Sequence, residues 1–444
     1  MKEESKAGKT KPAAVKRVLV RKRPASAGPT AGVEAATAKI TPARLAAFEI
    51  LKMVGEGKGH SDELLHSARV DALSPEDRNL TTALVMGVLR WQIALDARVR
   101  GLLQRPEQRL AEPVAIALRM GAFQLLHLER IPAHAALSES VELCRAAGEP
   151  HAAGMVNAVL RKVAGSPRTG VKLHESTAAF AERLGHPRWL VERWVAEYGR
   201  ETALRICEAD QKEPTTGAMF SESGGDLPQM DDGSRLVAEL AAAAMPGARR
   251  VWDCCAAPGG KTLILARRLG SAEILASDVS VKRLAQTEAR LRRYAYAEGV
   301  GFVAADAADA KAVEGSFDLI LCDVPCSGTG TLAGNPEIRY RLKVEELARQ
   351  AERQKAILKG ALTRLAPGGR LVYSTCSLEP EECERVVEAV GGVRRVLVDG
   401  LLAELQGILL TGVEVGSMGR DGALRTLPGV HGCDGFFAVV LERN

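Results

Sequence analysis

The sequence predicts an α/β protein in two parts, and three patterns predict it. Residues 40–165 carry apolar positions at helical spacing and read as an all-helical domain. From Arg250 onward, short strand-like apolar runs alternate with helical periods and tight Gly-rich turns, which describes a parallel sheet with helices on both faces. Two cysteines, Cys326 and Cys376, each follow such a run directly, at the sheet edge where open α/β folds place their chemistry.

The elements follow in chain order. A chain of 444 residues exceeds the usual span of one core, so two or more domains are expected. Between Lys2 and Arg23, nine Lys or Arg stand against Glu3 and Glu4, mixed with Pro and Ala. Residues 1–39 are therefore expected to be a disordered basic arm that condenses onto phosphates, without separating RNA from DNA. Thr41-Pro42 starts a helix carrying Leu45, Phe48, Ile50 and Leu51, and further helical patterns run over 78–89, 113–128 and 135–147. Arg90, Arg98, Arg100, Arg119, Arg161 and Lys162 form either an RNA-facing surface or ordinary solvated helix faces. Residues 166–234 read as a connector and a linker. Helix follows Ser176, with Leu184, Trp189, Leu190, Trp194 and Tyr198 as core rather than base-stacking platforms, and Gly, Ser, Asp and Pro mark a loop over 221–234. Residues 235–444 then read as a Rossmann-like domain, with strands at 250–253, 273–278, 317–323, 370–375 and 436–441 and helices at 262–269, 282–294 and 344–365.

Composition narrows the class. With 46% hydrophobic and 26% charged residues the chain is globular, and it has no run of eighteen apolar residues to span a bilayer. The opening Met1–Lys6 has no apolar core behind it, so a reducing, cytoplasmic setting is expected, with the nine cysteines mostly free thiols. Neither a repeated Cys-x-x-Cys nor a clustered His/Cys pattern is present, and no structural metal is expected. The formal net charge of +5 is modest.

Asp253-Cys254-Cys255-Ala256-Ala257-Pro258-Gly259-Gly260-Lys261-Thr262 joins the first strand to a helix. Gly260-Lys261-Thr262 ends like a triphosphate loop, but Cys255 stands where the leading glycine belongs, and Ala256-Ala257-Pro258 suits a phosphate cradle poorly. An adenosine-type cofactor fits better. Gly259 and Gly260 permit close approach, and Asp278, ending the next strand, offers acceptors to ribose hydroxyls. On that ground NAD and S-adenosylmethionine stay equally open. Asp306 lies near the adenine edge or serves as a helix cap.

On the substrate side, Pro325 stiffens the backbone between Asp323 and Cys326, and Gly328 and Gly330 let the loop pass close to a flat substrate. A thiolate adds to an electron-poor ring, and a second thiol beside it handles a proton or product release. Two such thiols suggest pyrimidine chemistry, although a lone cysteine at a strand end is more often packing.

Together, residues 253–262, 323–330 and 374–377 resemble the Sun family of S-adenosylmethionine-dependent RNA cytosine-5 methyltransferases. Asp232-Gly233-Ser234 with Leu236-Val237, Asn335-Pro336-Glu337-Ile338-Arg339, and Arg425-Thr426-Leu427-Pro428 followed by Asp434-Gly435-Phe436-Phe437 extend the likeness over residues 176–444. The helical domain, especially Asn157-Ala158-Val159-Leu160-Arg161, resembles the NusB-like RNA-binding domain of bacterial enzymes that methylate 16S ribosomal RNA. The resemblance implies that Cys376 attacks cytosine C6, that Cys326 assists release, and that Asp323 meets the N3 and amino edge. It implies a donor site of Cys255, Ala256, Ala257, Pro258, Gly259, Gly260, Lys261, Asp278, Arg283, Asp306 and Asp323, with Lys261 orienting the cofactor or substrate. Ribosomal RNA is the implied partner and a monomer the default. Transfer RNA is an alternative substrate, and a non-catalytic RNA-binding assembly factor an alternative class. One departure stands out: the stretch between Pro214 and Ser234 is shorter than in the family and lacks its Leu-Arg-Val-Asn segment and small α/β subdomain.

Overall fold

The computed structural model describes residues 31–166, 175–222, 227–309, 311 and 313–443, so the basic run over residues 2–23 lies outside the described residues. The helical part comprises α1 (Ala31–Thr37), α2 (Pro42–Gly55), α3 (Ser61–Leu65), α4 (Ala68–Asp71), α5 (Pro75–Arg100), α6 (Glu112–His127), α7 (Ala133–Ala146) and α8 (Ala153–Ala164). Helix α5 starts where Ser74 accepts from the Asp77 amide at 3.1 Å, with Pro75 at its first position. Leu84, Val88, Leu118, Met120, Val156 and Leu160 build the core. Gly87 lets α5 approach α6: a Cβ there would meet Phe123 Cζ at 1.9 Å. A buried polar cluster ties α2 to α6 and α7, with Arg44 donating to Glu139 Oε1 at 2.9 Å and to Gln124 Oε1 at 2.8 Å.

Two expectations for this part are corrected. Residues 31–39 are not part of a disordered arm. They form α1 and its exit, with Ala36 buried and α1 resting on α7, because the positive run ends at Arg23 and small helix-forming residues follow. Nor do all six basic residues form one outer face. Arg90 is buried and donates to the Ala333 carbonyl at 3.0 Å. Arg119 forks onto Asp96 at 2.7 and 2.9 Å. Arg100, Arg161 and Lys162 are exposed.

Helices α9 (Thr177–Arg183), α10 (Arg188–Tyr198) and α11 (Arg200–Ala209) pack Phe180, Leu190, Trp194 and Ile206 into their own cluster. Trp194 Nε1 donates to Glu379 Oε1 at 3.0 Å and Tyr198 to the Leu378 carbonyl at 2.5 Å, so these aromatics hold the segment that follows Cys376. The expected loop over 221–234 ends early. Helix α12 (Asp232–Ala244) begins at Asp232, with Asp231 as its cap. Asp232 in turn accepts from the amides of Gly217, Ala218 and Met219, fastening that stretch to the helix.

The remaining elements are β1 (Arg250–Asp253), α13 (Gly260–Arg268), β2 (Glu273–Asp278), α14 (Val281–Leu291), β3 (Gly301–Ala304), β4 (Phe317–Asp323), α15 (Ile338–Arg341), α16 (Val344–Leu362), β5 (Leu365–Thr375), α17 (Glu384–Glu388), β6 (Val393–Val396), α18 (Asp399–Leu405), β7 (Gly419–Arg420), β8 (Ala423–Arg425) and β9 (Phe437–Arg443). Their sheet runs β3-β2-β1-β4-β5-β9-β8-β7, with β6 on β9. Strands β1 to β5 are parallel, whereas β9 enters antiparallel between β5 and β8. The expected parallel sheet is thus mixed, because the chain returns through the β7–β8 hairpin instead of a crossover helix. Central strands are buried on both faces: Leu319 and Leu321 join one core with Leu236 and Leu263, while Ile320 and Cys322 join the other with Ile357 and Leu358.

Candidate active site

Chain order reverses between β1 and β4, so the loops leaving their carboxyl ends diverge and open a crevice. Asp323 ends β4 in register with Ser374 of β5. The turn after β4 carries Cys326 and the residue after β5 is Cys376, which sets the two sulfurs 3.3 Å apart with both cysteines half-buried. The sequence places these thiols fifty positions apart, and strand pairing brings them together.

Asp323 is held from two sides. Ser374 Oγ donates to its Oδ1 at 2.8 Å, and Lys261 Nζ, from the first turn of α13, to its Oδ2 at 2.7 Å. Lys261 also donates to Ser234 Oγ at 2.7 Å, and so bridges α12 to β4. Burial alone would push the Lys261 ammonium down, but Asp323 beside it outweighs this and raises it, so it stays charged. The Cys376 thiol is pushed well up, first by its hydrogen bond with Cys326, then by burial and the nearby Asp323, while Lys261 pulls the other way. Burial raises the Asp253 carboxyl to about 7, against the opposing hydrogen bond from Thr262 Oγ1 at 2.7 Å.

The crevice has two lobes that share Cys255, Ala257 and Asp323. One, of about 280 Å³, reaches Asp278, Arg283, Asp306, Cys326 and Cys376. The other, of about 220 Å³, is bounded by Met230, Asp253, Ala256, Pro258, Gly260 and Lys261. Arg283 donates to the Ala257 carbonyl at 3.0 Å and stands 3.9 Å from Asp278, which fixes the lip between β1 and β2. Asp306 accepts from the Ala308 amide at 3.0 Å, so it both closes its turn and lines the lobe.

Gly259 alone of the expected cofactor residues lies outside both linings. Its φ of 93° and the 2.5 Å that would separate a Cβ from Leu291 Cδ1 give it a reason to be glycine in admitting α14. Sequence reasoning also missed the groups that hold the site: Ser234 on Lys261, Ser374 on Asp323, and a buried carboxylate beneath both cysteine loops. Hydroxyls flanking the motif acids are the local signal for the first two. No group of three or more potential metal ligands occurs among the described residues, and no described helix is long and apolar enough to cross a membrane.

Residues 243–442 match the family described as 16S rRNA methyltransferase RsmB/F, and residues 41–165 match the NusB family. Ribosomal RNA small subunit methyltransferase B of Xanthomonas campestris is 33% identical across 90% of this chain and 96% of its own length. The probable ribosomal RNA small subunit methyltransferase B of Bacillus subtilis is 30% identical across 91% of this chain and 100% of its own. The crystal structure of PH0851 superposes with a TM-score of 0.66 over 91% of this chain and 99% of that one at 19% identity, a likeness of fold. A paired-thiol crevice on this sheet, both domain matches in order, and a relative aligned along nearly its whole length identify the chain as a member of the RsmB/F family of 16S rRNA methyltransferases.

Proposed function

We propose that the protein transfers a methyl group from S-adenosylmethionine to C5 of a cytosine in 16S ribosomal RNA, a reaction of the bacterial cytoplasm. The observation that carries the reading is the Cys326–Cys376 pair, 3.3 Å apart beside a doubly held Asp323. S-adenosylmethionine supplies an electrophilic methyl on a sulfonium. The crevice fits such a donor: Asp278 offers acceptors for ribose hydroxyls, the second lobe extends past Pro258 and Gly260, and both open at Asp323.

Cytosine C5 is too weak a nucleophile to take a methyl unaided. In the proposed sequence the Cys376 sulfur, once deprotonated, forms a bond to C6 and the C5–C6 π electrons become available at C5. Cys376 rests as a thiol because Cys326 and burial favour that form, and Lys261 is the neighbour that favours its ionised form. Asp323, its carboxyl group held by Lys261 and Ser374, meets the N3 and amino edge, and a carboxyl proton or hydrogen bond there offsets the charge that develops. After C5 is methylated it loses its proton, the electron pair re-forms the double bond and Cys376 departs, with Cys326 assisting this last stage. A stacked base cannot reach the pair, so the target is single-stranded or turned out at a cost of roughly a few kcal/mol. The NusB-like domain and the basic N-terminal run supply phosphate contacts toward that cost.

Labelled S-adenosylmethionine, 16S RNA and bisulfite mapping test the reading. Cys376→Ala should abolish transfer, whereas Cys326→Ala should leave protein covalently bound to RNA on a denaturing gel. Full activity of Cys376→Ala, or label at an atom other than C5, would overturn it.

A further inference from the structure

Glu382 lies fully buried behind the cysteines, and no step of the proposed chemistry uses it. Its carboxylate accepts four hydrogen bonds: from the Ser327 amide at 2.9 Å, the Ser327 hydroxyl, the Ser377 hydroxyl at 2.5 Å and Gln354 Nε2 at 3.0 Å. Four is the full acceptor complement of an ionised carboxylate, and such charge-assisted bonds are about twice as strong as neutral ones. What they hold matters more than their number. Ser327 directly follows Cys326 and Ser377 directly follows Cys376. Gln354 also donates to the Pro325 carbonyl at 2.9 Å, so the backbone is gripped on both sides of Cys326. Tyr373, on β5, donates to the Glu382 carbonyl at 2.6 Å and fixes the clasp to the strand that delivers Cys376.

We infer that Glu382 is a positioning residue for methyl transfer, acting through Ser327 and Ser377 to set the separation and mutual orientation of the Cys326 and Cys376 sulfurs. The inference rests on the cysteine-pair reading above and adds to it the element that makes the pair a pair. Other links cross between the two segments, namely the Gly330 amide to the Cys376 carbonyl, the Val324 amide to the Ser374 carbonyl and the Leu378 amide to Thr329 Oγ1, each at 2.9 Å. None of these holds the Ser327 amide, and Gln354 alone keeps its grip on the Pro325 carbonyl. Loss of Glu382 therefore frees the Ser327 side of Cys326 and the Ser377 hydroxyl while the sheet stays assembled.

The test uses the full chain with Glu382→Gln and Glu382→Asp. Three quantities are read: kcat and RNA KM with labelled S-adenosylmethionine, the yield of Cys326–Cys376 bridging by dibromobimane with peptide mapping, and Tm. Gln removes acceptor capacity at one oxygen, and an ångström of displacement at a reacting centre costs about a hundredfold. Glu382→Gln should lower kcat by about that factor, leave RNA KM within about twofold, and cut the bridging yield several-fold. Glu382→Asp keeps the charge and should recover about tenfold of the lost rate. Unchanged kcat and bridging in Glu382→Gln would overturn the inference. So would equal losses of kcat and Tm in both variants with bridging intact, which is the behaviour of a residue that only packs. The bridging yield does not need methyl transfer, so it judges Glu382 even if Cys376→Ala were to sink the catalytic reading.

Discussion

The Asp253 carboxyl is fully buried at the end of β1, and burial raises it to about 7 from an ordinary value near 4. A carboxyl raised on folding binds more protons in the native than in the unfolded chain between those two values. Its contribution therefore favours the native state at low pH, is lost as pH rises toward 7, and is level above that. Unfolding by urea at pH 5 and pH 8 should show Asp253→Asn removing a pH-dependent loss of about 2.5 kcal/mol between those two values, with the variant gaining on the wild type at pH 8. An equal effect at both pH values would deny the carboxyl its titration. Lys261 gives a second residue-scale outcome. It opposes the upward push on the Cys376 thiol, so Lys261→Met should raise that thiol further and move the rising limb of the pH–rate profile to higher pH. Lys261 was legible as a motif position, but its role was not. Its partners Ser234 and Asp323 lie 27 and 62 residues away, and the sheet edge that joins them leaves no local pattern.

At the scale of elements, helix α12 shows how a cap reaches the site. Asp231 accepts from the amides of Gly233 at 2.7 Å and Ser234 at 3.1 Å, and also from the Asp434 amide at 3.2 Å. The cap therefore fixes the turn from which Ser234 meets Lys261. Asp231→Ala should cost about 1–2 kcal/mol, read as a fall in the urea midpoint at unchanged slope. A loss of only a few tenths would show that water serves the helix start equally well. Strands β1, β2 and β4 were legible almost to the residue, because central strands buried on both faces read as continuous apolar runs. Strand β3 was not: its four residues are half or fully exposed. The two- to four-residue strands β6, β7 and β8 fall below the length at which alternation can be seen. The antiparallel entry of β9 was hidden for another reason, since a strand buried on both faces has the same composition in either direction.

Across the whole molecule, the segment after the Cys326 loop is clamped to the helical domain. Arg339 is buried and donates to the Arg90 carbonyl at 2.7 Å and the Asp210 carbonyl at 3.0 Å. Glu337 accepts from the Ser61 amide and hydroxyl at 3.0 and 2.6 Å, and Tyr340 donates to the Leu89 carbonyl. Arg90 answers from the other side through Ala333. An arginine on an amphipathic helix has the same sequence signature whether it meets phosphate, solvent or another domain, which is why Arg90 was legible as basic and not as an interface residue. The distinction can be measured. Exposed Arg161 and Lys162 have the freedom to meet phosphates, so replacing both with Ala should weaken RNA binding and reduce the slope of log K against log salt by up to about 1.8, roughly 0.7–0.9 for each phosphate no longer neutralised. Arg90→Ala should leave that slope unchanged, because the side chain it removes is already committed inside the protein. It should instead lower stability by about 1.5–3 kcal/mol, the usual worth of a hydrogen bond from a charged group. A salt slope that fell with Arg90→Ala while stability held would mean that this arginine leaves the interface for RNA, and that the clamp between the helical domain and the segment after Cys326 opens when RNA binds.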